Sequence, residues 1–347
     1  MKIAVIGAGA IGGYVGGWLA AAGEDVTFIA RGANLDAIRR NGMRVVGEDG
    51  KEVVARTAVF EKTTEAEKQD CVILAVKAHQ VAPIAADIAA LCDDHTSIVT
   101  MQNGIPWWYF HKHGGPYEGT VVRAADPDGS IAKTIDANRV IGSVVYPAAV
   151  LEAPGVVHVV EGRRFTLGEL DGSASERAEA ISAAFTRAGF KAPVIGDIRS
   201  EIWLKLWGNL SFNPISALTH ATLVGLLRYP LTRQLSIDMM REAEVVANKL
   251  GITFRVGIDK RVAGAEKVGE HKTSMLQDVE AGRPVELEAL VGAVVELGRL
   301  TETPTPHIDA VYALVSLLAK RLADSHGKLS LDSHSPAAQT STSVLMA

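Results

Sequence analysis

Two different spacings of hydrophobic positions divide the chain. In the first half, short apolar runs alternate with stretches in which apolar residues recur every three or four positions. The runs predict strands at residues 2–6, 25–30, about 43–46, 52–59, 71–76, 97–101, 140–148, 155–160 and 164–168, and the longer periods predict helices at 12–22, 33–40, 79–92 and 174–188. Such alternation is typical of a parallel sheet with helices on its faces.

Beyond residue 196 the spacing is helical almost throughout. It predicts helices at residues 199–224, 231–250, 255–269, 284–300 and 306–325. We therefore expect an α/β domain over residues 1–196 and an all-helical domain over residues 197–327. In the first of these helices Asp197 is available as the N-cap, Glu201 falls in the first turn, and Pro214 should kink the helix or end its first segment.

A polar stripe runs along that same helix. Steps of four residues advance a helix by about 40° beyond each full turn, so Lys205, Asn209 and Asn213 lie on one slowly drifting line. Tryptophan, leucine and phenylalanine side chains stand between them. A lysine and two amides in such apolar company predict a polar strip that contacts a ligand, rather than a solvated surface.

A glycine-rich loop follows the first predicted strand. Gly7, Gly9 and Gly12 fit the pattern G-x-G-x-x-G, and the loop opens the first predicted helix. This pattern gives a tight turn, a close backbone approach to a pyrophosphate and a helix N-terminus that favours negative charge. Because the motif lies between a strand and a helix, it predicts a dinucleotide-binding site rather than a plain turn or a secretory signal.

The end of the second predicted strand bears on the choice of dinucleotide. NAD-binding units usually carry Asp or Glu there to bind the ribose 2′-hydroxyl, whereas this chain has Ala30-Arg31-Gly32. The planar fork of an arginine can bind a 2′-phosphate instead. The sequence therefore favours NADPH over NADH, with an ordinary surface arginine as the alternative.

Two further motifs follow predicted strands. Lys77 comes directly after the strand at 71–76, and Gln102-Asn103-Gly104 follows the strand at 97–101. Ligands of parallel sheets gather beyond the carboxyl ends of the strands, which makes both motifs candidates for binding. The simpler interpretations are a surface lysine at a helix start and an ordinary Asn-Gly turn.

Length and composition agree with a two-domain enzyme that does not bind nucleic acid. The chain has 347 residues, 48% of them hydrophobic, and a net charge of −5, so it lacks the basic surface of a nucleic-acid-binding protein. Residues 3–23 are uncharged over more than the ~18 residues that cross a membrane, but their glycines favour strand, turn and helix. Cys71 and Cys92 are interpreted as small buried residues, and no Cys/His cluster has zinc spacing. We expect a cytoplasmic protein without a metal.

Three segments are less readable. Residues 106–138 begin with four consecutive aromatic side chains and predict an extended loop or lid-like insertion, although a packed helix start with a long hairpin is equally consistent. Residues 328–347 lack apolar periodicity and predict a disordered tail. Between residues 272 and 288, Ser274 can bind a carboxylate or cap a helix. Pro284 suits the first turn of the next helix, which would place Glu286 there, near the helix dipole.

Taken together, these motifs resemble those of the ketopantoate reductases (2-dehydropantoate 2-reductases). The resemblance runs in order from residue 1 to about residue 325, and it rests on Gly7-Ala-Gly-Ala-Ile-Gly12, Arg31, Val76-Lys77, Gln102-Asn-Gly104, Lys205-x3-Asn209-x3-Asn213-Pro214 and Ser274-Met-Leu-Gln-Asp278-x7-Glu286. It implies a Rossmann-type N-terminal domain, an all-α C-terminal domain and an active site between them. It also implies NADPH-dependent reduction of 2-dehydropantoate to (R)-pantoate, a step towards pantothenate and coenzyme A.

The resemblance also assigns roles to residues. It makes Lys205 the catalytic lysine and Glu286 the acidic residue that engages the substrate hydroxyl. It implies that the substrate is oriented by Asn103, Asn209, Asn213 and Ser274. It implies that the cofactor is bound by Gly7, Gly9, Ala10, Ile11, Gly12, Arg31, Lys77 and Asn103, with Arg31 and Lys77 on the adenosine phosphate side.

The residue types suit that chemistry independently. An ammonium group placed beside a ketone stabilises the negative charge that gathers on the oxygen and can donate the proton. Partial burial lowers the pKa of a lysine towards neutrality. Amides and a serine hydroxyl can bind a carboxylate, and a glutamate can accept a hydrogen bond from a substrate hydroxyl.

Three functions stay open at this stage. The chain is longer than typical members of the family, and the excess around residues 106–138 lies next to the predicted site. The alternatives to ketopantoate reduction are reduction of a different 2-oxo acid and a non-catalytic NADPH-binding regulatory role. Lys205 together with Glu286 argues against the regulatory role. The apolar helices of the second domain fit a homodimer interface and core packing equally well.

Overall fold

The computed structural model describes residues 1–327 of the chain, and the predicted tail at 328–347 lies outside them. Its eleven described strands are β1 (Lys2–Ile6), β2 (Asp25–Ile29), β3 (Met43–Val46), β4 (Glu52–Ala55), β5 (Ala58–Phe60), β6 (Cys71–Leu74), β7 (Ser97–Thr100), β8 (Val140–Val145), β9 (Ala148–Ala153), β10 (Val156–Glu161) and β11 (Phe165–Glu169). The described helices are α1 (Ala10–Ala21), α2 (Gly32–Asn41), α3 (Ala85–Ala90), α4 (Ser130–Thr134), α5 (Glu176–Arg187), α6 (Ile198–Thr219), α7 (Leu223–Arg228), α8 (Pro230–Lys249), α9 (Ile258–Lys267), α10 (Ser274–Glu280), α11 (Ala293–Leu300) and α12 (Pro306–Asp324).

A seven-stranded sheet forms the centre of the first domain. Its order is β11-β8-β7-β6-β1-β2-β5, and all neighbours are parallel except the pair β11 and β8. The chain leaves β1 for β2 on one side and later returns to β6 on the other. A crevice therefore opens between β1 and β6 at their carboxyl ends, where sheets of this kind bind dinucleotides.

A second sheet of four strands covers α1, in the order β4-β3-β10-β9. The single strand predicted at 52–59 is wrong, because its two halves pair with different sheets. Ala55 pairs with Met43 in the small sheet, whereas Ala58 pairs with Thr27 in the large one. The strand predicted at 140–148 likewise divides, since β8 ends at Val145 and β9 begins three residues later.

Helix α6 forms the centre of the second domain, where it contacts α8, α10 and α12. Its N-cap is Asp197, whose carboxylate accepts a hydrogen bond from the Ser200 N–H at 2.9 Å, as predicted. The helix continues through Pro214 to Thr219. It then ends because His220 adopts the left-handed conformation, with φ of 57°, so the single helix predicted over 199–224 is two helices.

The helix predicted over 284–300 begins later than expected. A π-helical turn at Glu288–Gly292 precedes α11, and Pro284 and Glu286 lie in non-helical chain before it. The first-turn position predicted for Glu286 is therefore wrong. Ser274 begins α10, whose N-cap is Thr273.

The aromatic segment after β7 is part of the core and does not form a lid. Its four aromatic residues, Trp107, Trp108, Tyr109 and Phe110, are all buried. The Trp108 indole donates to Thr100 at 3.0 Å, and the Trp203 indole of α6 donates to the Tyr109 hydroxyl at 2.7 Å. This segment thus attaches the large sheet to α6, and turns and α4 complete it in place of a hairpin.

Over 1–327 no helix combines the length and the apolar character that crossing a bilayer requires. Within the same range, no group of three or more His, Cys, Asp or Glu side chains is arranged to hold a metal ion.

Candidate active site

The glycine loop between β1 and α1 is shaped by close packing at two of its three glycines. A Cβ at Gly12 would lie 1.9 Å from the Gly7 carbonyl oxygen. Gly7 has φ of 95°, and a Cβ there would lie 2.7 Å from a Cγ atom of Val76. At Gly9, by contrast, a Cβ would meet nothing within 4 Å. Gly9 is the N-cap of α1, so the open space faces the first N–H groups of that helix. These residues fit the pyrophosphate of a dinucleotide.

A cavity of about 430 Å³ lies next to this loop, and Arg31 contributes to its wall. Arg31 is exposed and makes no ion pair with any residue in 1–327. Asn34 supports the loop, since its amide donates to the Ala8 carbonyl at 2.5 Å and accepts from Gly155 N–H at 2.6 Å. Glu61 and Asp87 also line the cavity. Sequence reasoning did not identify these carboxylates, because they follow no recognisable motif.

Lys77 points to the other domain in this structure. Its ammonium donates to Asp278 at 2.7 Å and to the Pro284 carbonyl at 2.8 Å. It does not line the cavity beside Arg31, although its neighbour Val76 does. The cofactor role implied for Lys77 therefore stays a prediction.

Lys205 is held at the interface between the two domains. Its ammonium donates to the Asn103 side-chain oxygen at 2.5 Å and to the Val145 carbonyl at the end of β8. An ammonium carries three N–H groups, so one stays unpaired among the described residues. Burial lowers the pKa of Lys205 to about 8. The negative charge of Glu286 has the opposite, smaller effect on this pKa and raises it.

The loop after β7 positions Asn103 against this lysine. Gly104 has φ of 88°, and a Cβ there would lie 2.1 Å from the Ala289 carbonyl oxygen. The next residue, Ile105, donates its N–H to that same carbonyl at 2.8 Å. Gln102 donates to the Leu74 and Val76 carbonyls at the end of β6. The Asn-Gly turn is thus a fixed support for Asn103.

A second cavity, of about 480 Å³, opens beside Lys205 between the domains. Its lining brings together six of the predicted residues, namely Ile11, Asn103, Lys205, Asn209, Asn213 and, from α10, Ser274. The Asn213 amide donates to the Ser274 hydroxyl at 3.4 Å. The stripe predicted on α6 therefore faces a cavity, and one end of the glycine loop reaches it.

Glu286 lies at the edge of this arrangement. Its carboxylate accepts from the Ala78 N–H at 3.2 Å, just beyond β6, and its negative charge acts on Lys205. It does not line the 480 Å³ cavity. Its place near the lysine is compatible with a contact to substrate, and that role stays a prediction.

Several cavity residues were not identified from the sequence, and Arg261 is the one among them that carries a permanent positive charge. Arg261 of α9 lines the 480 Å³ cavity, and its guanidinium lies 5.9 Å from the centre of the Phe212 ring on α6. Burial lowers the pKa of this arginine from its usual value. In the sequence it is one of several basic residues in a helical pattern, which gives no signal of where it points.

Comparisons with known proteins agree over almost the whole described chain. The family described as Ketopantoate reductase PanE/ApbA matches residues 3–116, and its C-terminal domain matches residues 197–319. A 2-dehydropantoate 2-reductase of Mesorhizobium japonicum is 56% identical over 92% of this chain and 98% of its own length.

Solved structures agree as well. One from Ralstonia solanacearum, provisionally assigned as a ketopantoate reductase, is 40% identical, with a TM-score of 0.88 over 92% of this chain and 98% of its own. The 2-dehydropantoate 2-reductase of Methylococcus capsulatus is 31% identical, with a TM-score of 0.78 over 93% and 98%. The predicted fold class, an α/β Rossmann-type domain followed by an all-α domain, is confirmed. The chain belongs to the ketopantoate reductase family.

Proposed function

We propose that this protein reduces 2-dehydropantoate to (R)-pantoate with a nicotinamide cofactor, as its relatives' names state for them. The observation that carries the proposal is Lys205, an amine with a pKa of about 8 on a cavity that also reaches the glycine loop. A group with that pKa is protonated at neutral pH and gives up its proton readily. It is suited to a ketone that gains negative charge.

In the proposed reaction, some residues of the cavity stabilise charge and others orient the substrate. When bound, the reduced nicotinamide supplies a hydride to the ketone carbon. Lys205 stabilises the charge that develops on the ketone oxygen and donates the proton to it. Asn103 and the Val145 carbonyl fix the ammonium, so little reorganisation is needed during the reaction. Asn209, Asn213 and Ser274 orient the substrate through directional hydrogen bonds.

For the cofactor we propose NADPH, held by the glycine loop and Arg31. Arg31 is exposed beside the cavity, where its fork can bind a 2′-phosphate in two parallel hydrogen bonds. Glu61 on the same cavity wall brings a negative charge that opposes part of this attraction. The proposal therefore needs a direct comparison of NADPH with NADH.

The test is steady-state oxidation of NADPH with a panel of 2-oxo acids. We expect kcat/KM for 2-dehydropantoate to exceed the values for pyruvate and 2-oxoisovalerate by orders of magnitude. Equal values would favour a reductase for a different 2-oxo acid. Tight NADPH binding without turnover of any 2-oxo acid would favour a regulatory protein.

Two expectations from the sequence stay predictions. The first is the cytoplasmic location. The second is a homodimer, for which the exposed Leu314 and Leu317 of α12 provide an apolar face of suitable character.

A further inference from the structure

We propose that Arg261 binds the carboxylate of the substrate and selects 2-oxo acids over uncharged ketones in this cavity. The inference rests on the proposed function for the identity of the substrate, but the binding of a carboxylate can be tested separately. It concerns a residue of α9, outside the stripe of α6 that the sequence indicated.

The absence of a side chain at Gly208 leaves the space that the Arg261 guanidinium occupies. Lys205, Gly208, Asn209 and Phe212 follow one another at steps of three, one and three, so all of them fall on the same face of α6. A Cβ at Gly208 would lie 2.1 Å from an Nη atom of Arg261 and 3.0 Å from its Cζ. The guanidinium thus occupies the space where the stripe lacks a side chain, one turn from Lys205.

Among residues 1–327 the Arg261 guanidinium has neither an ion-pair partner nor a hydrogen-bond acceptor, and the Phe212 ring is its aromatic neighbour. None of the ion pairs or side-chain hydrogen bonds among residues 1–327 involves its guanidinium. A half-buried guanidinium without an acceptor is costly, because burial removes hydration without replacing it. Its five N–H donors are therefore available to a ligand in the cavity.

The neighbouring arginines show the contrast. Arg164 and Arg255 both pair with Glu201, a buried carboxylate in the first turn of α6 that also accepts from the Tyr146 hydroxyl. The Glu201 carboxylate therefore neutralises part of the positive charge of these two arginines. Arg261, which faces the same region from α9, is left out of this network.

The charges of the cavity point to an anion. Lys205 and Arg261 contribute two positive charges to its lining, against one carboxylate, Glu161. Lys205 is engaged with the ketone oxygen in the proposed reaction, which leaves Arg261 for the carboxylate. A planar guanidinium matches a carboxylate through two parallel hydrogen bonds.

The experiment compares wild type with Arg261→Met in the full chain. We expect KM for 2-dehydropantoate to rise on the order of 10- to 100-fold in the variant, as loss of a charged hydrogen bond predicts. KM for NADPH and for the uncharged lactone of the same acid should stay unchanged. Lys260→Met removes an exposed charge from the same helix and serves as the matched control, with no effect expected.

A double-mutant cycle tests the geometry. Gly208→Ala should displace the guanidinium and raise KM for the acid. In the double variant, Gly208→Ala combined with Arg261→Met, KM for the acid should be little higher than in Arg261→Met alone. Equal rises in KM for the acid and the lactone in Arg261→Met would assign Arg261 a purely structural role and overturn the proposal.

A separate measurement distinguishes failure of the proposed function. Oxamate, a carboxylate that mimics a 2-oxo acid and is not reduced, is titrated into the enzyme with NADPH. Wild type should bind it at least tenfold more tightly than Arg261→Met, whichever 2-oxo acid is turned over. Wild type that binds oxamate no better than the variant would overturn the role of Arg261, even if 2-dehydropantoate is a good substrate.

Discussion

The Lys77 ammonium and the Asp278 carboxylate lie 2.7 Å apart and join the end of β6 to α10. Asp278 is also paired with Arg283 at 2.9 Å, so its charge is shared between two cations. If Lys77 also binds the adenosine phosphate, the cofactor and Asp278 compete for one ammonium.

Exchange of Asp278 for Asn tests that competition. We expect Asp278→Asn to tighten NADPH binding severalfold and Lys77→Ala to weaken it, because the first change frees the ammonium and the second removes it. Fluorescence titration with NADPH measures both. Equal weakening in the two variants would instead assign the pair to domain contact alone.

Replacement of Lys205 by Ala should lower kcat by several orders of magnitude. The change removes the group proposed to stabilise the ketone oxygen and to donate its proton. NADPH affinity should stay within a few-fold, since the glycine loop and Arg31 are untouched. Turnover close to that of wild type would refute the role of this lysine.

The pKa of Lys205 sets the pH dependence. Burial lowers this pKa to about 8, so the protonated form dominates at pH 7, makes up about half of the lysine at pH 8 and declines progressively above that pH. We expect kcat/KM for the ketone to fall about tenfold per pH unit above that value. In Lys205→Arg the residual activity should stay flat from pH 7 to 10. A wild-type profile equally flat would rule out Lys205 as the proton donor.

Arg31→Ala should separate the two cofactors. We expect Kd for NADPH to rise on the order of 10- to 100-fold through loss of a charged contact to the 2′-phosphate. Kd for NADH should change little, because NADH lacks that phosphate. Arg39→Ala, on the same helix α2, is the control. Equal losses for NADPH and NADH would contradict the assignment.

Gly9→Ala and Gly12→Ala should fail in different ways. Gly9 has an ordinary φ of −79° and open space around its missing Cβ, so the variant should keep its melting temperature and lose cofactor affinity. Gly12→Ala places a methyl group 1.9 Å from the Gly7 carbonyl oxygen and should lower the melting temperature. Thermal unfolding and NADPH titration of both variants measure the difference, and a stable Gly12→Ala with full affinity would contradict it.

The parts of the fold that the sequence predicted are those set by local patterns. Strand β1 and the glycine loop follow from a buried run and from steric demands within a few residues. The strand predicted at 52–59 was wrong because its first half pairs with the preceding strand β3 in the small sheet, whereas its second half pairs with β2 in the large one. The aromatic residues after Gly104 fitted a lid-like loop and a packed helix start equally well, and only the contact of Tyr109 with Trp203 of α6 decides between them.

In the candidate active site, too, the residues set by a local pattern could be predicted and those set by tertiary contacts could not. Lys205, Asn209 and Asn213 could be predicted because one helix brings them together. Arg261 could not, because its approach to Gly208 and Phe212 is a tertiary contact between α9 and α6 that no local pattern indicates. The signal that could have indicated it is Gly208, since a glycine inside a helix costs about 1 kcal/mol and needs a reason, such as a close neighbour.

The missing side chain at Gly208, whose space the Arg261 guanidinium occupies, also bears on how this enzyme can evolve. Lys205, the proposed proton donor, stands on α6, while the guanidinium that fills the space beside Gly208 comes from Arg261 of α9. If Arg261 binds the carboxylate as proposed, a substitution at position 261 alters which ketones are accepted and leaves Lys205 in place. Because the proposed specificity residue is on α9 and the proposed catalytic residue is on α6, substrate specificity can change by mutation while the catalytic group is retained.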